Sequence, residues 1–468
     1  MRVPFAAAAL LSALSPSRSA GQSACAPWTD PHAIRVEVFP GDDLAAKVAA
    51  AASGTTLLLL PGTYPVAATL RFARDDVTLR SKSGRREDAV LDGDAAGSGQ
   101  PSRFAPEVIA VNASGIVLAD FTVRHARDHA IHAAPPATRP IARLRIRNLH
   151  VSDCGQQLIK VNSNGGDPLH WADTGTVECS FIGFEDNGVM EPSGDGFYTG
   201  GIDIHGGRGW EIRGNLFRNI QRQGRNMEHA VHLWSKSRDC VVEGNRFEDV
   251  YRAVGLGMKT AADGLVRRYP DGKGDSPYLD YIGGRVADNA IWNRAGIRLE
   301  SGIEIMNAAE TVVAHNTVWS AEAPFSSIEY RWPNTAVIVK NNLVSATLKP
   351  RDGGKAETGG NVENAAGAAF RDAARGDLRP AAGSPAIGKG LPLEGDWAAL
   401  DLEGTPRDAA PDAGAYEFAA PGGLAPGRGD ARPARDARVW TGTGWLFRSG
   451  EAPGRIRNAA GAARSSDQ

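Results

Sequence analysis

Imidazole, ammonium and carboxylate side chains that recur at matching places in successive segments are the types that move protons. In this chain they are His132, Lys160, Asp203, His232, Glu304 and Glu329. Two residues further on in these segments stand Ala134, Asn162, His205, Trp234, Met306 and Arg331. Glu228 and His229 come just before His232, at the expected rim. Between the charged positions lies a glycine segment, Gly255-Leu-Gly257, which leaves a notch where a ligand ring can approach the backbone. Trp234 can stack on the face of a sugar, and Arg331 can fork onto a carboxylate. Glu304 and Glu329, on neighbouring segments, disfavour joint ionisation, which raises one pKa and makes a proton donor.

Three functions fit these types. β-Elimination on a uronic-acid glycan needs a neutralised carboxylate (Arg331 or Lys160), a base (His232 or His205) and an acid for the leaving oxygen (Tyr330 or a protonated glutamate). Tyr330 itself is expected to point inward. Hydrolysis needs two carboxylates at a set separation, and Glu304 with Glu329 are the pair available. The third function is glycan binding without turnover. Central histidines favour elimination. The catalytic set is then His232, Glu304, Glu329, Asp203 and Lys236, and the substrate-binding set is His205, Trp234, Arg331, Lys160, His229 and Glu228. No motif calls for a cofactor and no metal is assigned, although imidazole and carboxylate at His205, His232, Asp203 and Glu228 suit a divalent cation.

These residues need a frame that repeats. Gly201-Ile-Asp-Ile-His205, Ala230-Val-His-Leu-Trp234, Gly302-Ile-Glu-Ile-Met306 and Ser327-Ile-Glu-Tyr-Arg331 superimpose as short alternating strands. Each is followed by a second strand with a V/I-x-x-N-x-hydrophobic frame, centred on Asn215, Asn245, Asn316 and Asn342, and Asn289 is a fifth copy. A repeat of this length without helical phase is a solenoid whose turns bury one another's apolar faces. An asparagine at the same point of each turn can stack on its copies and satisfy backbone groups there.

This pattern resembles the right-handed parallel β-helix of the pectate-lyase-like proteins, with PbH1-type repeats over residues 40–380. The resemblance implies an all-β solenoid and a polysaccharide or oligosaccharide partner, and the fold hosts many activities. Ser235-Lys236-Ser237, leading to Asn245 and Phe247, resembles the segment around the catalytic lysine of the alginate lyase and chondroitinase B family. In that family acidic calcium ligands precede the lysine and an arginine follows. Here His229, Val231 and Gly257 hold those places, so calcium is not carried over. The overall likeness is to bacterial β-helix proteins of no known activity.

The remaining chain supplies ends and excursions. Residues 1–24 read as a signal peptide, with Arg2 before a short apolar run, which implies a secreted or periplasmic protein. Residues 44–52, after Asp43, read as a capped helix closing the amino-terminal end. Strands are expected at 55–60, 77–79, 108–111, 116–123, 144–151 and 177–184. Residues 258–281 form an insertion that acts as a lid or substrate wall. Residues 381–418 resemble a closing segment, and 419–468, rich in Ala, Gly, Pro and Arg, read as a disordered tail. With 52 basic against 54 acidic residues, nothing points to nucleic acid or a membrane surface. A monomer is expected. Cys25, Cys154, Cys179 and Cys240 allow disulfides in an exported chain, with no pairing assigned by sequence, and buried single thiols are the favoured reading.

Overall fold

The structure is a computed structural model that describes residues 28–166, 168–185, 198–222, 226–258, 267–272 and 279–419. The signal peptide, nearly all of the expected tail, and much of the 188–200 loop and the 258–281 insertion lie outside the described residues.

The chain winds as a parallel β-helix. One coil runs through Glu211–Arg213, Leu216–Arg218 and His229–Trp234, and each of these strands belongs to a different parallel sheet. The sheet holding His229–Trp234, here the wall sheet, has ten strands, from Leu70–Phe72 at one end to Leu348–Arg351 at the other. Inward residues of all three sheets form one continuous core that includes Ile204, Leu233, Val254, Ile303 and Ile328, with Trp210 fully enclosed. Aromatic rungs stack within it; Phe217 and Phe247 lie 4.7 Å apart and nearly parallel.

The expected helix is present at Leu44–Ala50, with the Asp43 carboxylate accepting from the Ala46 N–H and with Leu44 and Val48 turned into the core. The stretches 116–123, 144–151 and 177–184, expected as single strands, are each two strands. Asp120 (φ 63°), Asn148 (φ 48°) and Cys179 (φ 54°) take left-handed conformations between them and turn the chain from the first sheet to the second. Gly214, Gly244, Asp288, His315 and Asn341 make the same corner in later coils.

The asparagine stack exists. From Cys179 onward each of these corner residues is followed by a ladder position. Asn215 Nδ2 donates to Asn245 Oδ1 at 3.0 Å, and the same bond links Asn245 to Asn289, Asn289 to Asn316, and Asn316 to Asn342 at 2.9–3.0 Å. Each Nδ2 also reaches a carbonyl of the preceding coil, as Asn289 does with Val242 at 2.9 Å. The ladder runs one rung further than the repeat showed, from Asn342 to Asn361 at 2.9 Å, and its other end is Ser180, whose N–H donates to Asn215 Oδ1.

Residues 365–416 contribute a second apolar cluster, with Phe370, Leu378, Ala413 and Tyr416 against Ala290 and Leu343. Arg407 anchors this flank through Asp288 and Glu417 at 2.8 and 3.1 Å. Cys154 and Cys240 are buried and Cys179 half-buried, all three unbridged, and burial pushes the first two thiols up to about 12.

Replacing Asn289 by alanine strips the Asn245 N–H of its acceptor and the Val242 carbonyl of a donor. A loss of about 2–4 kcal/mol is expected from urea unfolding. A loss below about 0.5 kcal/mol would show that the ladder is not a stabilising element.

Candidate functional site

The wall sheet brings the sequence-predicted column into register. His132 pairs with Lys160, Lys160 with Asp203, Asp203 with His232, His232 with Gly255, Gly255 with Glu304, and Glu304 with Glu329. The second column holds as well, with His205 opposite Trp234 and Met306 opposite Arg331. Inward neighbours such as Ile204, Leu233 and Ile305 are fully buried in the core, so these columns face away from it. Tyr330 turns into the core, as expected.

Facing away from the core does not leave the column open. Lys160, Asp203, His232, Glu304 and Glu329 are all buried, none more than 7% exposed. Charges held out of water must be paired, and here they pair with one another in two clusters.

The first cluster centres on Asp203. Its carboxylate takes the Lys160 ammonium, the Trp234 Nε1–H at 2.6 Å, and contacts from His205 Nε2 and the Tyr198 hydroxyl at 3.3 and 3.4 Å. Lys160 also donates to the Tyr198 hydroxyl and lies 2.8 Å from His205 Nε2. Burial pushes Asp203 up, but Lys160 and His205 outweigh it and hold the carboxyl well below the usual range. Burial, and then Asp203, raise the Tyr198 phenol, which therefore keeps its proton at neutral pH. Tyr198 is 36% exposed and is where this cluster meets solvent. Trp234 is not a free platform, because its ring stacks on His232 at 5.0 Å and meets the His205 ring edge-on at 4.4 Å.

The second cluster centres on His229. Ala230 and Val231 both turn into the core, so the alternation breaks and His229 emerges on the same wall as His232. Its imidazole lies over Gly255, where a Cβ would sit 2.7 Å from Nε2. The glycine notch, expected to admit a sugar, is thus filled by the protein's own histidine. Across it His229 Nε2 reaches Glu304 at 3.0 Å, while Nδ1 faces Glu228 Oε2 at 3.3 Å. His232 Nδ1 faces the same oxygen at 3.2 Å, and its Nε2 donates to the Gly257 carbonyl at 3.1 Å. Arg252 pairs with Glu304 at 3.2 Å. Burial opposes charge on His229, yet Glu304 and Glu228 raise it to about 9. Glu228 and Glu304 are correspondingly held below the carboxylate range despite burial. The ligand atoms of Glu228, His229 and His232 lie within 4.8 Å of one another, a group able to hold a metal ion. The set named from sequence divides: His232 and Glu228 belong here, whereas Asp203 and His205 are engaged by Lys160.

Three expectations need correction. Lys236 is not on the wall; it is buried, takes a left-handed conformation, and its ammonium binds the Leu279 carbonyl. Arg331 is tied to Asp352 and stacked on Trp332 rather than presented to a ligand. Glu304 and Glu329 are neighbours in register and their pKa values do diverge, since burial and then Glu304 raise Glu329. However, both Glu329 oxygens are held by Arg351 at 3.0 Å, and each Glu304 oxygen has a cationic partner. Tyr198, Arg252 and Arg351 were missed. Arg252 is the register partner of His229, so alignment could have found it, but Arg351 follows the point where the repeat fades.

His229 binds its proton more tightly in the folded protein, so its stabilisation is complete below about 6.5 and fades as pH rises through about 9. Glu228 and Glu304 act oppositely, contributing above about 4.5 and losing it as pH falls. In chelating buffer the urea midpoint is expected to fall between pH 6.5 and 9, and more steeply than in His229→Gln. Equal slopes would contradict the pairing.

No protein-family model and no curated protein sequence matches the chain. Solved structures do. A pectate lyase, Pel9A, superposes with a TM-score of 0.50 at 14% identity, over 83% of this chain and 97% of that one. PfbA, a surface adhesin of Streptococcus pneumoniae, gives 0.45 at 12% identity, over 69% and 85%. An alginate lyase from a Paenibacillus species gives 0.39 at 13% identity, over 62% and 96%. The winding of three parallel sheets and the superposition on Pel9A agree: this chain has the right-handed parallel β-helix fold of the pectate-lyase-like proteins.

Proposed function

We propose that this is a secreted, carbohydrate-active protein that cleaves a uronic-acid-containing glycan by β-elimination at the Tyr198 end of the wall. The observation that carries this reading is the Lys160–Asp203–His205–Tyr198 cluster, a buried ion pair that holds an exposed phenol and a partly exposed imidazole side by side. Titratable groups positioned by a buried charge pair, with access to solvent, are what proton transfer requires.

In the reaction, a base removes the proton on the carbon beside the uronate carboxylate. That electron pair forms the double bond, the glycosidic carbon–oxygen bond breaks, and the leaving oxygen takes a proton. Tyr198 is the acid, since its phenol stays protonated. His205, partly exposed beside Tyr198, is the base, its Nε2 set between the Lys160 ammonium at 2.8 Å and the Asp203 carboxylate at 3.3 Å. Asp203 then stabilises the imidazolium, and Lys160 stabilises the phenolate left after donation. Hydrolysis by Glu304 and Glu329 is disfavoured because both carboxylates are buried and engaged by cations of the protein. One observation favours glycan binding without turnover instead: the charged groups of the wall already satisfy one another.

Uronate polysaccharides incubated with the full chain are expected to gain the ultraviolet absorbance of an unsaturated uronate. Tyr198→Phe should slow this by roughly a hundredfold or more. New reducing ends without absorbance would replace elimination by hydrolysis. Retention on uronate glycans without cleavage would leave binding alone.

A further inference from the structure

We propose that Glu228, His229 and His232 form a site for one divalent transition-metal ion of the zinc type. The wall's acid–base reading does not require this site, and the site does not depend on that reading.

The first argument is the orientation of the two imidazoles. The far nitrogen of each faces an acceptor: His229 Nε2 meets the Glu304 carboxylate at 3.0 Å, and His232 Nε2 meets the Gly257 carbonyl at 3.1 Å. A carbonyl or carboxylate oxygen there puts the hydrogen on Nε2 and turns the Nδ1 lone pair the other way. Both Nδ1 atoms therefore point at one carboxylate oxygen, Glu228 Oε2. A backing carboxylate or backbone carbonyl behind each ring is the outer arrangement that orients metal-ligating histidines.

The second argument is spacing. Three atoms with lone pairs cannot face one another unless positive charge lies among them, either as a proton on each ring or as a single ion. A charge-assisted N–H···O bond closes to about 2.7–2.9 Å. The observed separations are 3.3 Å for His229 and 3.2 Å for His232. An ion about 2.0–2.2 Å from each ligand sets neighbouring ligands roughly 3.0–3.5 Å apart, whether the geometry is octahedral or tetrahedral. Both separations fit an ion's shell and are longer than a charge-assisted bond usually is, and all three ligand atoms lie within 4.8 Å of one another.

The third argument is construction. His229 reaches this wall only because Ala230 and Val231 both turn inward, and its ring has room only because residue 255 is glycine. The two ring side chains are 2% and 3% exposed, whereas the Glu228 side chain is 20% exposed, so the fourth coordination position opens toward solvent. Two imidazoles and one carboxylate with an open position suit zinc, manganese, iron or cobalt, whereas calcium would need more oxygen ligands. An ion there would also supply the positive charge that an acidic sugar needs.

The test uses the full chain, stripped with chelator, dialysed, and titrated with zinc or cobalt chloride. About one ion per chain is expected after gel filtration, with a visible absorption band for the cobalt form. Glu228→Gln and His232→Gln should each weaken binding at least tenfold, and His150→Ala, on another sheet, should not. Folding of each variant is checked by thermal melting. Substoichiometric metal, a cobalt form without a visible band, or unchanged affinity in folded Glu228→Gln would overturn the site. Because the cobalt spectrum is read on the unmutated chain, it decides the matter even if a variant does not fold. Metal content and elimination activity are separate measurements, so either can fail alone.

Discussion

In-register stacking of coils governs this structure. Each asparagine of the ladder donates its amide to the next one and reaches back to a carbonyl of the coil before, so successive coils cannot slide by even one residue without leaving buried groups unpaired. A slip would move every side chain of the wall to the wrong face. The corner residues that precede the ladder positions take left-handed conformations, which explains why Gly, Asp, Asn and His occur there. Backbone hydrogen bonding thus fixes where the chemistry-bearing side chains stand before any of them interacts.

On that frame the wall solves a different problem. Several charges stand where water scarcely reaches, and each is tolerable only because an opposite charge or a dipole meets it. Lys160 neutralises Asp203; His229 lies between Glu228 and Glu304; Arg351 holds Glu329. Most of these pairs cross from one coil to another, so the wall ties coils together as the ladder does on the far side. The polar groups left near solvent are few, and they are the ones to which working roles fall: Tyr198, His205 and the open side of Glu228.

The fold was legible because its signals repeat. Five copies of one asparagine frame and a period-two strand pattern allow a single solution, and the columns drawn from them match the register from His132 to Glu329. What was not legible depends on single events. Strict alternation hides that Ala230 and Val231 both face inward, as Ala130 and Ile131 or Ala253 and Val254 do in other coils, and that break delivers His229 to the wall. The same break turns the glycine notch from a cleft into a seat for an imidazole. The three bends at Asp120, Asn148 and Cys179 were read through as strand because one left-handed residue leaves little trace in hydrophobic alternation. Lys236 was judged from a local likeness, but two residues past Trp234 the chain has already turned the corner and left the wall.

The ladder has a further property: it is polar along the axis, with every asparagine-to-asparagine bond donating toward the carboxyl-terminal end. Its rungs are interchangeable, because each offers the same acceptor on one side and the same donor on the other. A coil gained or lost by duplication or excision would leave compatible surfaces at the junction. The wall has no such freedom, since its charged side chains pair between particular rungs, Lys160 with Asp203, His229 with Glu304 and Glu329 with Arg351. The length of this solenoid is therefore open to evolutionary change toward its ends, while the span from Lys160 to Arg351 is held to its present count of turns.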